Sequence, residues 1–290
     1  MLKIEVKYHP VNWLSFTRKV NSNVPQNWCD VTQKQLIAIA CLYKSAISDT
    51  NFLKAMSRLK TRIINKLSDF ERYKLMEIFE FVGDQKAHHE FIIKKLPSTG
   101  SGSSCLLRCL SAKQSKADLL HAPEGKLKGI TFGQFIFADT YFANYQQSND
   151  ETDLNKFIAS LYLKKDESFD EKLIQERHSK IGKINQNNRE AIVLNYQLIH
   201  EWLGLAYPLI FQKHEELSSD SRDKASLVSS PEPEKHCDQN QWIKIFQNFV
   251  GDDIIHDEVW AAKPVNTIFA YMTRKYKEKP HLNPPRRGRT

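Results

Sequence analysis

Chemistry in this sequence would have to come from a few local clusters. His88-His89-Glu90 has the residue types of a zinc-protease helix, but adjacent histidines cannot both face one metal, since helical ligands must lie a full turn apart. They read as surface histidines. Cys105 and Cys109 do have the one-turn spacing. A tetrahedral zinc would still need two further ligands, and His88 and His89 are the nearest candidates. Asp252-Asp253 followed by His256-Asp257-Glu258 gathers acids and an imidazole, as a divalent cation or an acid–base pair requires. The same letters describe a solvated turn between Phe249 and Trp260, and that reading is adopted. The glycines of Ser98-Thr99-Gly100-Ser101-Gly102-Ser103-Ser104 lack the Lys-Ser or Lys-Thr of a phosphate loop. Serines near Cys105 have no placed histidine and carboxylate. No catalytic residue, cofactor site or metal site is assigned, and the chain is read as noncatalytic.

Charge offers a second kind of chemistry. The net charge is +8, yet Arg274 to Thr290 alone holds seven Lys or Arg and one Glu, leaving 35 basic against 33 acidic residues in 1–273. The body is nearly neutral. The basic end, with Arg274, Lys275, Lys277, Arg286, Arg287 and Arg289, can contact phosphates without a shaped site. Lys54, Arg58, Lys60, Arg62 and Lys66 form a basic stretch as well. Their neighbours Phe52, Met56, Leu59 and Ile63 need a core, so the cations read first as a solvated face. Nucleic acid is one expected partner class.

Composition bounds the scaffold. Hydrophobic residues make up 41% and charged residues 26%, which is ordinary globular usage. No apolar run approaches the roughly 18 residues of a membrane span, and none resembles a secretory signal. Met1-Leu2-Lys3-Ile4-Glu5-Val6-Lys7 alternates apolar with charged and predicts a short exposed strand. Five cysteines, an odd number, predict reduced thiols and a cytoplasmic location.

Everything else points to helices. Thr32-Gln33-Lys34-Gln35 is a capping-box start, followed by an apolar stripe through Leu36, Ile39, Ala40, Tyr43 and Ile47. Residues 51–82 predict two helices with a break near Ser68-Asp69 and a stop at Gly83. The Thr131-Phe132-Gly133-Gln134 segment repeats the cap and leads into Phe135, Ile136, Phe137, Tyr141, Phe142 and Tyr145. Leu154, Phe157, Ile158, Leu161 and Tyr162 then recur at helical spacing. A long helix is predicted from about Asn188 to Ala206, with Leu194, Leu198 and Trp202 on its apolar face and Asn195, Gln197 and Glu201 on the other. Pro208 stands beyond its end. The fold class is all-α, an irregular helical bundle with Ser/Pro-rich linkers. Its parts are a helical region 1–97, a linker 98–128, a helical core 129–214, a linker 215–238, a helical segment 239–277 and a basic tail 278–290.

Residues Leu127 to Phe142, with Asp153 to Tyr162 and Tyr207-Pro208-Leu209-Ile210-Phe211, resemble uncharacterised helical proteins of phage and prophage tail-gene clusters of Bacteroidetes-type bacteria. The resemblance extends faintly over residues 30–80. It implies a role in tail morphogenesis, as an assembly chaperone for the tape-measure protein or a minor tail component, acting in the bacterial host cell. Such a chaperone would receive an amphipathic helix in an exposed apolar groove on aromatic anchors. The C-terminal aromatics Trp242, Phe246, Phe249 and Trp260 are the expected anchors.

Overall fold

The computed structural model describes residues 1–10, 16–84, 87–97, 119–211, 242, 245 and 257–278. It is mainly helical, as the periodicity predicts, with two small antiparallel sheets. The chain divides into two compact units, one of residues 1–93 and 185–202, the other of residues 94–184 and 203–290. This partition differs from the one the sequence suggests: most of the long helix of segment 129–214 groups with the N-terminal residues.

The first unit opens with a hairpin of strands β1 (Leu2–Tyr8) and β2 (Arg18–Val24), in which Ile4 pairs with Ser22 and Val6 with Val20. Helix α1 (Gln33–Tyr43) starts on the expected cap: the Thr32 backbone N–H donates to Gln35 Oε1 at 2.9 Å. The amide of Gln35, almost fully buried, also donates to the Met56 carbonyl at 2.9 Å and so ties α1 to the end of helix α2 (Asp49–Ser57). The helix ends at Tyr43, short of Ile47, because Ser45 turns to φ 53°. Tyr43 is 44% exposed rather than part of the core, its hydroxyl donating to the Val82 carbonyl.

The stretch expected as two helices is three: α2, α3 (Thr61–Ile64) and α4 (Asp69–Glu77). The predicted break at Ser68 is present, with the Ser68 N–H donating to Glu71 Oε2 at 2.8 Å. A further break at Arg58, φ 57°, ends α2. Phe52, Met56, Leu59, Ile63 and Leu67 are nevertheless all buried, while Lys54, Arg58, Lys60, Arg62 and Lys66 are exposed. Helical spacing locates the core even where the helix is interrupted.

Helix α8 (Gln186–Ala206) supplies the other half of this core up to Trp202. Asn195, expected on its polar face, is fully buried. Its Oδ1 accepts from the Ile92 N–H at 2.6 Å and its Nδ2 donates to the Glu90 carbonyl at 3.0 Å. The side chain thus satisfies backbone groups of a bent segment that lies outside any sheet.

In the second unit, strands β3 (Lys95–Pro97), β4 (Leu119–His121) and β5 (Leu163–Lys164) form a sheet in that order. The helical core expected over 129–214 therefore carries strand structure too. Helix α5 (Phe132–Ser148) begins with Thr131 Oγ1 accepting from the Gln134 N–H at 3.2 Å and ends at Asn149 with φ 55°. Asp150 then caps α6 (Glu151–Leu161). Helix α7 (Glu171–Ile181), absent from the sequence reading, buries only Ile174, Arg177 and Ile181. So sparse a stripe gives little helical signal. After α8 the backbone turns helical again at 208–211, with Pro208 at the first position, where its missing N–H costs nothing.

Helices α9 (Asp257–Ala261) and α10 (Val265–Glu278) dock on the start of α5. The Phe132 N–H donates to the Lys263 carbonyl at 2.8 Å and the Val265 N–H to the Ile130 carbonyl at 3.0 Å. Gly133 permits this approach: a Cβ there would lie 3.3 Å from the Ala261 Cβ.

Candidate functional site

Of the expected aromatic anchors, the two described ones, Trp242 and Trp260, have different surroundings. Trp242 is 7% exposed and sits in an aromatic cluster of the second unit, its ring 5.2 Å from Phe135 and 5.6 Å from Phe211. Phe269 packs 5.1 Å from Phe135 in the same cluster. The Trp242 indole N–H donates to Asp139 Oδ2 at 2.7 Å, a buried pair. Trp242 is thus a core residue and not a partner contact. Its apolar surface and its one donor are both spent inside the unit. Phe246 and Phe249 lie outside the described residues, as do Arg286, Arg287 and Arg289.

Trp260 is half-buried beside Tyr271, with ring centroids 5.5 Å apart. Cations flank the pair: Lys263 Nζ lies 5.3 Å from the Trp260 ring, and Arg274 Cζ and Lys275 Nζ lie 5.5 and 5.7 Å from the Tyr271 ring. Trp260, assigned from the sequence to protein binding, therefore shares a face with Arg274 and Lys275, assigned to nucleic acid. Both cations also approach Glu278, at 3.7 Å each. Lys277 is exposed in the same last helical turn, where positive charge suits the helix dipole.

The histidines also depart from the sequence reading. His88 is buried, and its Nδ1 lies 3.8 Å from Sγ of Cys29, 59 residues earlier in the chain. Burial, then the neighbouring His89, hold its imidazole below the ordinary range. His89 packs against Trp202 at 6.1 Å. Among the described residues no three His, Cys, Asp or Glu side chains gather as a metal-binding set. Cys105 and Cys109 lie outside those residues, and so do Asp252, Asp253 and His256.

A feature that motif reading misses lies on the first unit. An open groove of about 430 Å³ is lined by Ile4, Val6, Leu67, Phe70, Leu75 and Ile78, with Glu5, Lys7, Glu71 and Lys74 also bordering it. Its volume falls within the range of ligand clefts. Four consecutive residues of β1 reach it. Successive strand side chains point to opposite faces, so the groove must run along the strand's edge. That edge is the one away from β2 and is unpaired among the described residues.

Helix α4 forms the opposite wall. Leu75 is its only buried residue, whereas Phe70 and Tyr73 are 69% and 62% exposed. On β1, Glu5 is claimed by Lys19 at 2.9 Å. The hydrogen bond from Lys19 is the main reason its carboxyl is held below the usual range. Lys74 pairs with Glu77 at 2.9 Å on the other wall. The sequence clue is local, the alternation of β1.

No described helix is long and apolar enough to cross a membrane. Comparison of the chain with protein-family models, curated proteins and solved structures found no match.

Proposed function

We propose that this chain is a noncatalytic binding protein of phage or prophage tail morphogenesis, an assembly chaperone or minor tail component acting by protein–protein contact in the host cytoplasm. The observation that carries the binding role is the β1–α4 groove, an apolar channel with Phe70 exposed on its helical wall. Large apolar side chains left in water beside an open strand edge mark an interaction surface. The tail assignment rests on the resemblance of residues 127–142, 153–162 and 207–211.

The test is affinity capture of the full chain from a host carrying the tail genes, in low and high salt with nuclease, beside a Phe70→Asp variant. Phe70 is exposed, so the variant should keep its fold. Salt-resistant capture of a tail protein, lost in the variant, supports the reading. Capture that the substitution leaves unchanged removes the groove from it.

A second reading has its own observation, the Trp260–Tyr271 pair flanked by Lys263, Arg274 and Lys275. Aromatic faces interleaved with cations are how single strands are bound without sequence preference. Nuclease-sensitive capture that weakens steeply with salt, and is lost when these three cations become Gln, would favour it.

A further inference from the structure

We propose that the β1–α4 groove takes an extended segment of the partner as an added strand on β1, one with acidic residues opposite Lys3 and Lys7 and apolar residues opposite Ile4 and Val6. This rests on the protein-binding reading above and specifies its occupant. The family resemblance implies a different mode, an amphipathic helix received in a groove on the central helical core.

A helix spends its backbone groups on itself and could not satisfy the row of N–H and C=O groups along the edge of β1 that is unpaired among the described residues. An extended segment can, through strand addition. The charge pattern chooses the class of segment. On the polar face of the hairpin Lys3 lies opposite Asn23, Glu5 opposite Asn21 and Lys7 opposite Lys19. The last is a like-charge pair placed directly across the ladder, which is unfavourable.

Glu5, the one acid on this face, is taken by Lys19. Lys3 and Lys7 have no ion-pair partner among the described residues, and both are exposed. A strand bearing Glu or Asp across from each would relieve the excess of positive charge. Side chains opposite Ile4 and Val6 would point the other way, toward Leu67, Leu75 and Ile78 in the groove. The preferred pattern is acid, apolar, neutral, apolar, acid. It reads the same in both directions, so it suits a parallel or an antiparallel addition.

The experiment uses the full chain and a fluorescein-labelled peptide, Ser-Glu-Val-Thr-Val-Glu-Ser. Controls carry Lys in place of Glu, or Pro in place of the central Thr. Anisotropy titrations should show the Glu peptide binding roughly tenfold more tightly than the Lys peptide, from two cross-strand charge pairs, and the Pro peptide binding least. Amide exchange should slow in β1. The Lys3→Glu/Lys7→Glu variant should invert the preference. If that variant misfolds by circular dichroism, Lys3→Gln/Lys7→Gln should erase it.

Equal binding of the Glu and Lys peptides, binding by none of them, or unprotected β1 amides would overturn strand addition. The two proposals fail separately. A partner capture that depends on Phe70, yet leaves β1 amides unprotected in the complex, sinks the strand mode and keeps the groove. Capture indifferent to Phe70 sinks the groove itself.

Discussion

Thr32-x-x-Gln35 in the first unit and Thr131-x-x-Gln134 in the second are the same local motif at the start of a helix, and they do different things. Gln35 closes its cap on the Thr32 N–H and reaches the Met56 carbonyl with its other end. Gln134 sends its Nε2 to the Ser160 carbonyl at 2.8 Å, at the end of α6, while Thr131 serves the Gln134 N–H alone. Both glutamines are nearly fully buried. An amide has a donor end and an acceptor end, and in each unit the donor end takes one of the orphan carbonyls of a neighbouring helix's last turn. The cap is a local property. The tie to a second helix is a tertiary one, and it explains why a surface-type residue is buried at both positions.

The strongest way to break the symmetry of the two units is in the aromatic cluster around Trp242 in the second one. Trp242→Ala should destabilise that unit by about 4–5 kcal/mol, from lost packing and a buried Asp139 deprived of the indole donor. Amide exchange read unit by unit should show the loss concentrated in residues 94–184 and 203–211. A uniform loss over both units would contradict the partition.

Gln→Glu substitutions sharpen the comparison of the caps. Gln134→Glu would set a carboxylate against the Ser160 carbonyl and should cost about 3 kcal/mol at neutral pH. Gln35→Glu likewise turns a carboxylate on a carbonyl, that of Met56, but it keeps an acceptor for the Thr32 N–H at a helix start, where negative charge is favoured. It should cost about 1–2 kcal/mol. Urea denaturation of both variants decides it; equal costs would mean that the cap bond of Gln35 contributes nothing.

A smaller effect separates by pH. Glu167 and Arg177 form an ion pair in the second unit. Burial alone would raise the Glu167 carboxyl, but hydrogen bonds from Arg177 and from the Lys164 N–H at 2.8 Å bring it below its usual value. A carboxyl depressed on folding contributes stability that is full above its unfolded pKa and is lost as pH falls through the folded one. Glu167→Gln should therefore cost about 1–2 kcal/mol at pH 7, and the difference from the parent should vanish in acid. A gap that persists below the carboxyl range would assign the effect to packing.

Smallest of all, the Phe70→Asp variant used for capture should shift stability by less than about 0.5 kcal/mol, since exposed positions outside the core seldom do more. A large loss in thermal denaturation would show that this aromatic serves the fold of the first unit.

Legibility follows the range of the interactions. Phe52, Met56, Leu59, Ile63 and Leu67 are identifiable as core from spacing, although the helix carrying them breaks at Arg58, because burial depends on where a side chain points more than on unbroken hydrogen bonding. Helix α7 escapes a pattern search because Ile174 and Ile181 are too few to make a stripe. Trp242 reads as a contact residue in the sequence: a large aromatic after a polar, Pro-containing stretch looks the same whether a partner or Phe135 and Phe269 cover it. Asn195 and His88 go to the surface by polarity, and only their distant neighbours explain their burial.

By itself the sequence determined the helical class, the helix starts at Thr32 and Thr131, the break near Ser68 and the alternating strand at the N-terminus, because caps and periodicity act within a few residues. Tertiary structure alone decided that residues 185–202 join the N-terminal unit, that Trp242 is core, and that β1 faces α4 across an open groove. Those outcomes depend on segments tens to more than a hundred residues apart meeting in space, which no local pattern encodes.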